Sequence, residues 1–181
     1  MTLFKVLIRS VTFGTVIVTF LDNVGYVAMV SGVSMQPTLN PDQKTDYVFL
    51  NKWPVRNFEL ERGDIVSLLS PKDQDVKLIK RIVGFEGDVI RTKNKKVVEI
   101  PRGHCWVEGD NLNHSYDSND FGTVPVGLIY AKANRIIWPP TRWGQIPQKH
   151  IHDDRFIDKQ NPRVTLFPNP YCETKSENDV S

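Results

Sequence analysis

Lys77-Leu78-Ile79-Lys80-Arg81-Ile82-Val83-Gly84-Phe85-Glu86-Gly87-Asp88 reads as a β-strand that runs into a turn. Branched apolar residues carry the strand to Val83, and Gly84 to Asp88 supply the turn chemistry that stops it. Strict alternation places Ile79 and Arg81 on one face, and Lys80 with Leu78 and Ile82 on the other. A lysine among apolar neighbours loses the hydration that favours its ammonium form, so its pKa falls and its neutral amine becomes usable as a base. The structural alternative for Lys80 is a surface lysine on an edge strand.

Outward from that strand the same pattern recurs. Tyr47 to Leu50, Asp64 to Leu69, Asp88 to Thr92, Lys96 to Ile100, His104 to Glu108 and Leu128 to Ile137 are short extended runs. Arg62-Gly63-Asp64, Arg102-Gly103 and the polar segment Gly109 to Gly122 separate them as turns. Helical periodicity is weak, no repeat is visible, and the fold class is mostly β. Arg62-Gly63-Asp64 directly precedes an apolar strand, so it reads as a turn and not as an adhesion motif. After Trp138-Pro139-Pro140 the hydrophobic pattern fades, and the core is expected to end near Trp143.

The N-terminus differs in character. Val11 to Leu21 is uncharged and mostly apolar, with Lys5 and Arg9 before it and Asp22 after it. A span needs about 20 predominantly apolar residues, which this stretch reaches only by taking in Leu7 and Ile8 or by running on to Val30. A retained single N-terminal transmembrane helix is preferred to a cleavable segment, because Ser34 follows so closely that cleavage would cut into the site. Its basic flank predicts that the rest of the chain is translocated. The expected organisation is an anchor over 1–30, one folded β domain over 31–143 and a polar tail over 144–181.

Composition removes several functions. At 181 residues the chain has room for one ordinary domain, and 23 basic against 21 acidic residues give a net charge of +2. Nucleic-acid binding needs a concentrated basic face, so no such partner is expected. Cys105 and Cys172 are too few for a disulfide framework or a four-cysteine zinc site. His150 and His152 lie among ordinary solvated carboxylates and are not read as metal ligands. No cofactor is expected.

The segment Ser31-Gly32-Val33-Ser34-Met35-Gln36-Pro37-Thr38-Leu39 joins small, flexible residues to a stiffening proline. A serine held there is exposed without a bulky neighbour, although serine beside glycine and proline is ordinarily just a loop. A hydroxyl nucleophile needs a base. Neither His104 nor His114 accompanies a glycine-flanked serine elbow. Lys80 is the remaining option. Ser115 is a candidate to orient that lysine, and Asp117 to brace the loop through backbone donors, with simple turn capping as the alternative for both. Gly32 and Met35, on either side of Ser34, are the expected oxyanion or substrate-binding positions.

In this order the segments resemble the type I signal peptidases. The likeness rests on the apolar N-terminus, Ser34-Met35 with Pro37-Thr38-Leu39, Arg62-Gly63-Asp64-Ile65-Val66, Lys80-Arg81-Ile82-Val83-Gly84 with Gly87-Asp88, and Gly109-Asp110-Asn111 with Ser115, Asp117 and Ser118. It covers about Val11 to Trp143. The resemblance implies a mostly β catalytic domain and a Ser/Lys dyad, with Ser34 as nucleophile, Lys80 as base and Ser115 orienting the lysine.

Gln36, Glu86 and Trp138-Pro139-Pro140 are similar to the mitochondrial inner-membrane branch, and Lys80 argues against the endoplasmic-reticulum branch, which carries histidine there. That branch implies membrane attachment, precursor proteins with N-terminal sorting peptides as substrates, and a related protease subunit as partner. His114 and Asn119 depart from the common bacterial residues, and Gly32 supplies no side-chain hydroxyl, which leaves the Ser34 backbone N–H for the oxyanion. A bacterial-type plasma-membrane signal peptidase shares this chemistry, and a non-catalytic stabilising subunit would lack Ser34 or Lys80. A self-cleaving repressor would need a DNA-binding domain where this chain has an apolar segment.

Overall fold

The structure, a computed structural model, describes residues 2–73, 75–149, 151, 155 and 156. Helix α1, Thr2–Asn23, leads into strand β1, Gly25–Met29. The remaining strands are β2 Tyr47–Asn51, β3 Ile65–Leu69, β4 Lys77–Phe85, β5 Val89–Arg91, β6 Val97–Glu99, β7 His104–Glu108, β8 Val124–Pro125, β9 Ile129–Trp138 and β10 Gly144–Gln145. Two one-turn helices, α2 Trp53–Arg56 and α3 Ser118–Phe121, sit in the connections. The architecture is mostly β.

Among the described residues, no helix is long and apolar enough to cross a membrane. This corrects the expected transmembrane helix: α1 forms over 22 residues, but it does not meet the requirement for a span. Arg9 and Asp22 confine its uncharged part to residues 10–21, about 18 Å of helix against a hydrocarbon core of about 30 Å. Threonines dilute even that stretch. Thr12 Oγ1 donates to the Arg9 carbonyl at 3.0 Å and Thr15 Oγ1 to the Val11 carbonyl at 2.7 Å, the usual way a helix satisfies an internal hydroxyl.

Residues 25–29, placed with the anchor by the sequence, form the edge strand of the main sheet. Gly25 pairs with Asn51 and Met29 with Tyr47. Glycine is required at the entry because a Cβ there would lie 2.2 Å from the Leu50 carbonyl oxygen. The sheet runs β1-β2-β9-β3-β4-β7-β8, antiparallel throughout, with β10 added on β9 and β5-β6 as a separate ribbon.

β9 is the long central strand, pairing with β2 through its second half and with β3 through its first. β3 is buried on both faces, which is why its sequence is a continuous apolar run broken only by Ser67. Val66 and Leu68 join a core with Ile82, Phe85, Val107 and Val124, whereas Ile65 joins a second core with Val30, Met35, Leu39, Val48 and Ile136. Ile146 is buried in the second core, and Ile151 and Phe156 pack on a third built around Ile90 and Trp106. Packing therefore continues past Trp143, into the start of the segment expected to be a polar tail. The rest of that tail, including His150, His152 and Cys172, lies outside the described residues.

β4 is asymmetric, and this sets up the site. All of Lys77 to Arg81 pairs with β3, but pairing to β7 begins only at Arg81. Lys77 to Lys80 thus keep one edge unpaired among the described strands, as does the outer edge of β1.

Candidate active site

Ser34 sits in a turn held from two sides by side chains that satisfy its backbone. On one side Asn40, itself left-handed at φ 54°, donates from Nδ2 to the carbonyls of Val30 at 2.8 Å and Gly32 at 3.0 Å. Asparagine suits both tasks, since it tolerates that backbone region and carries an amide donor. Asp46, fully buried, accepts from Asn40 N at 2.7 Å and from Arg142. Arg142 also donates to the Thr38 carbonyl at 2.8 Å. On the other side, Asn111 donates from its backbone to the Ser34 carbonyl at 3.0 Å and from Nδ2 to the Val33 carbonyl at 3.2 Å.

Lys80 Nζ donates to Ser34 Oγ at 2.9 Å. Register with β3 puts Lys80 opposite Val66, in line with Leu78 and Ile82 on the first core, and Lys80 is only 3% exposed. Burial lowers its pKa from the ordinary 10.5, with the charge of Asp117 opposing part of the shift. A neutral Lys80 amine carries a lone pair at the same 2.9 Å, so the hydrogen bond can run the other way, from hydroxyl to nitrogen.

Ser115 is close but differently engaged. Its Oγ is buried without a hydrogen-bond partner among the described residues, where the sequence reading expected a bond to Lys80. It packs against Gly109, whose absent Cβ would lie 2.2 Å from Ser115 Oγ and 2.4 Å from the Ser34 carbonyl oxygen. Asp117 accepts from Gly109 N at 3.0 Å and Asn119 N at 3.1 Å, and closes a capping box with Asp120 at the start of α3. It therefore ties the Gly109 loop to α3 through backbone donors.

Gly32 is exposed at φ 90° with open space where a Cβ would be, so a peptide backbone can approach it. Met35 does not share that role through its side chain. It is 2% exposed and packed with Leu39 and Val48 in the second core, where it anchors the turn from beneath.

The sequence reading missed the braces. Arg81, immediately after Lys80, is buried and forms a fork onto Asp110 at 2.9 and 2.7 Å while donating to the Gly63 carbonyl at 2.6 Å. One guanidinium thus joins the Arg62-Gly63-Asp64 turn to the Gly109-Asp110-Asn111 loop that holds Ser34. An arginine in the middle of an apolar strand was the available signal, because a buried guanidinium requires a partner. Nothing local in the sequence marked Asn40, Asp46 and Arg142 as a unit.

A cavity of about 270 Å³ opens beside Ser34 and Lys80, lined near them by Ala28, Val30 and Ile79. A larger one, about 420 Å³, lies behind Arg81 around Asp64, Lys132 and Arg135 and includes neither Ser34 nor Lys80. Among the described residues no group of three or more histidine, cysteine or carboxylate side chains is placed to hold a metal ion. The site's own chemistry is a hydroxyl against a buried amine, beside a small cavity of mixed lining flanked by strand edges that are unpaired among the described strands.

Known proteins resemble this chain over most of its length. The chain is 57% identical over 135 residues to mouse mitochondrial inner membrane protease subunit 2, covering 72% of this chain and 77% of that protein. It is 45% identical over 142 residues to the Saccharomyces cerevisiae subunit 2, covering 75% and 80%. Human mitochondrial inner membrane protease subunit 1 is 37% identical over 159 residues, covering 83% and 94%. The family described as signal peptidase, peptidase S26, matches residues 2–98 and 95–138, which take in the Ser34 turn, β4 and the Gly109 loop. The chain belongs to the signal peptidase family, peptidase S26.

Proposed function

We propose that this chain is a serine endopeptidase that removes N-terminal sorting peptides from precursors at the mitochondrial inner membrane, using Ser34 as nucleophile and Lys80 as base. The observation that carries the reading is the 2.9 Å contact between Ser34 Oγ and the Nζ of a buried lysine. Neutral Lys80 takes the Ser34 proton as Oγ attacks the scissile carbonyl. The resulting ammonium then protonates the leaving amine, and water hydrolyses the ester with Lys80 as base again. The Ser34 backbone N–H stabilises the oxyanion. Ser115 Oγ, buried and without a hydrogen-bond partner among the described residues, turns onto Lys80 Nζ when the proton moves, which orients the amine.

The cavity beside Ser34 is small and is lined there by Ala28, Val30 and Ile79, which supports short side chains just before the cut. The catalytic domain works at the inner membrane on the intermembrane-space side, and a related subunit of the subunit 1 type completes the assembly. Precursor cleavage in mitochondria carrying wild type, Ser34→Ala or Lys80→Ala tests the dyad. Precursor should accumulate in both variants at normal protein levels, since the two residues act as one proton-transfer unit. Normal cleavage by both would make the chain a stabilising subunit instead.

A further inference from the structure

Past Trp143 the chain returns to the Gly109 loop, with residues beyond those matched by the peptidase S26 family, which end at 138. Ile151 and Phe156 pack on the third core against Val83, Ile90, Ile100 and Trp106, and Phe156 bridges Ile90 on β5. The Arg62 guanidinium lies 4.9 Å from the Phe156 ring centre, close enough to be attracted by its face. Arg155 is thereby held beside the end of β7. It forks onto Glu108, from Nη1 to Oε2 at 2.6 Å and from Nη2 to Oε1 at 2.7 Å, and donates to the Arg91 carbonyl at 3.3 and 3.4 Å. Glu108 is 4% exposed, and among the described residues no other cation pairs with it.

Glu108 is the last residue of β7 and directly precedes Gly109. Its Oε1 also accepts from Trp106 Nε1 at 2.8 Å and Asn119 Nδ2 at 3.1 Å, so four donors meet the roughly four lone-pair sites of the carboxylate. Asn119 Nδ2 donates as well to Asp117 Oδ1 at 2.9 Å, and Asp117 Oδ2 accepts from Gly109 N at 3.0 Å. Glu108, Asn119, Asp117 and Gly109 therefore close a ring at the base of the loop. From that loop Asn111 holds the Ser34 and Val33 carbonyls, and Asp117 acts by charge on Lys80. Burial pushes the Glu108 carboxyl up, but hydrogen bonds from Arg155, Trp106 and Asn119 and the charge of Arg155 outweigh it and hold it low. Without Arg155 this buried carboxylate would keep two neutral donors, Trp106 and Asn119, which do not offset its desolvation. The ring would then change its protonation or its shape.

We propose that Arg155 is a positioning residue for the reaction at Ser34: through Glu108 it fixes the ring that sets the Gly109 loop, and so the approach of Ser34 to Lys80. This rests on the Ser34/Lys80 reading of the site. Because Arg155 acts on the loop and not on the strand edges of β1 and β4, its effect falls on kcat more than on KM.

The test is precursor cleavage by membranes containing the full chain as wild type, Arg155→Ala, Arg155→Lys, Glu108→Gln, Arg155→Ala with Glu108→Gln, or Ser34→Ala. Rates are normalised to folded protein, measured by resistance to limited proteolysis. Arg155→Ala should lower kcat about tenfold and leave KM within about twofold, because a hydrogen bond to a charged group is worth a factor of about ten or more. Arg155→Lys should recover part of the rate, since an ammonium restores the charge but not the fork. Millimolar guanidinium should raise the rate of Arg155→Ala, while sodium chloride at equal ionic strength should not. In the Glu108→Gln background, Arg155→Ala should change kcat by less than about twofold, because Arg155 acts through that carboxylate. A wild-type kcat in Arg155→Ala, a loss that follows the amount of folded protein alone, or an equal loss on Glu108→Gln overturns the proposal. If Glu108→Gln does not fold, the guanidinium arm decides, and no rescue overturns it. If Ser34→Ala abolishes cleavage while Arg155→Ala is unchanged, the positioning role alone falls; if Ser34→Ala cleaves like wild type, the Ser34 reading falls with it.

Discussion

Gly109→Ala should disable the site through space alone. A Cβ at Gly109 would stand 2.2 Å from Ser115 Oγ, 2.6 Å from Ser115 Cβ and 2.4 Å from the Ser34 carbonyl oxygen. Non-bonded contacts settle at about 3.5 Å, so these atoms must part by roughly 1 Å. The Ser115 hydroxyl can rotate, but the Ser34 carbonyl is backbone and is held by Asn111 N at 3.0 Å. Moving it shifts Ser34 Oγ from Lys80, and a misplacement of about 1 Å costs on the order of 10²-fold in rate. Overpacking should also cost about 1–3 kcal/mol, a fall of roughly 2–12 °C in Tm.

Two other glycines separate the effects. At Gly84 a Cβ would meet Ile100 Cδ1 at 2.9 Å and Asp88 Oδ2 at 3.0 Å, away from Ser34, while at Gly127 it would meet nothing within 4 Å. Gly84→Ala should lower Tm and leave the rate per folded molecule near wild type. Gly127→Ala should change neither. Precursor cleavage normalised to folded protein, with thermal unfolding of all three variants, is the assay. Gly109→Ala cleaving within about twofold of wild type would refute the packing argument.

Because burial depresses the Lys80 pKa, the unfolded chain binds the extra proton, and this site's contribution to stability rises with pH between the folded pKa and 10.5. Lys80→Met should therefore melt at or above wild type near neutral pH, with the gap closing towards pH 10.5, while cleavage is lost. A wild-type advantage widest at neutral pH would contradict this. Burial pushes the Asp110 carboxyl up, but hydrogen bonds from Arg81 and Thr38 and the charges of Arg81 and Lys149 outweigh it and hold it low. Its stabilising effect is thus present at neutral pH and lost as pH falls through the folded value. Asp110→Asn strands a guanidinium whose side chain is 4% exposed, and should cost about 3–5 kcal/mol in denaturant unfolding; adding Arg81→Met should recover much of it.

The elements that could be read from sequence were those with a local signature. Seven strands announced themselves through branched residues between turns. β1 did not, because Gly25–Met29 continues the apolar run of α1 and carries no polar alternation. β8 and β10 are two residues each, too short for any period. α1 was legible as apolar but not as to whether it spans, because its charges fall inside the window a span needs.

At the site, Ser34 and Lys80 were each a weak signal alone and were singled out by the order of motifs that resembles the signal peptidases. Their supports are long-range pairs: Arg81 and Asp110 are 29 residues apart, Asp46 and Arg142 are 96. Such pairs leave no local pattern. Met35 was placed in the site because it adjoins Ser34, yet neighbouring side chains in a tight turn point apart, and its apolar chain went to the core.

That division within the turn explains why its supports are polar. A serine that is to attack a peptide must be reachable, so the Ser34 turn cannot be buried on all sides. Met35 and Leu39 bury the lower side in the second core. The upper side exposes carbonyls that packing cannot satisfy, and those of Val30, Gly32, Val33, Ser34 and Thr38 are each taken by a side-chain or loop donor. Lys80 meets the opposite demand, since an amine that is to be neutral must be dry, and β3 and the first core keep it so. The two groups can meet at 2.9 Å only where a braced, open turn crosses a buried strand. Loss of a brace should therefore lower kcat before it raises KM, because the unpaired edges of β1 and β4, where an extended peptide would add as a strand, belong to the sheet and not to the turn.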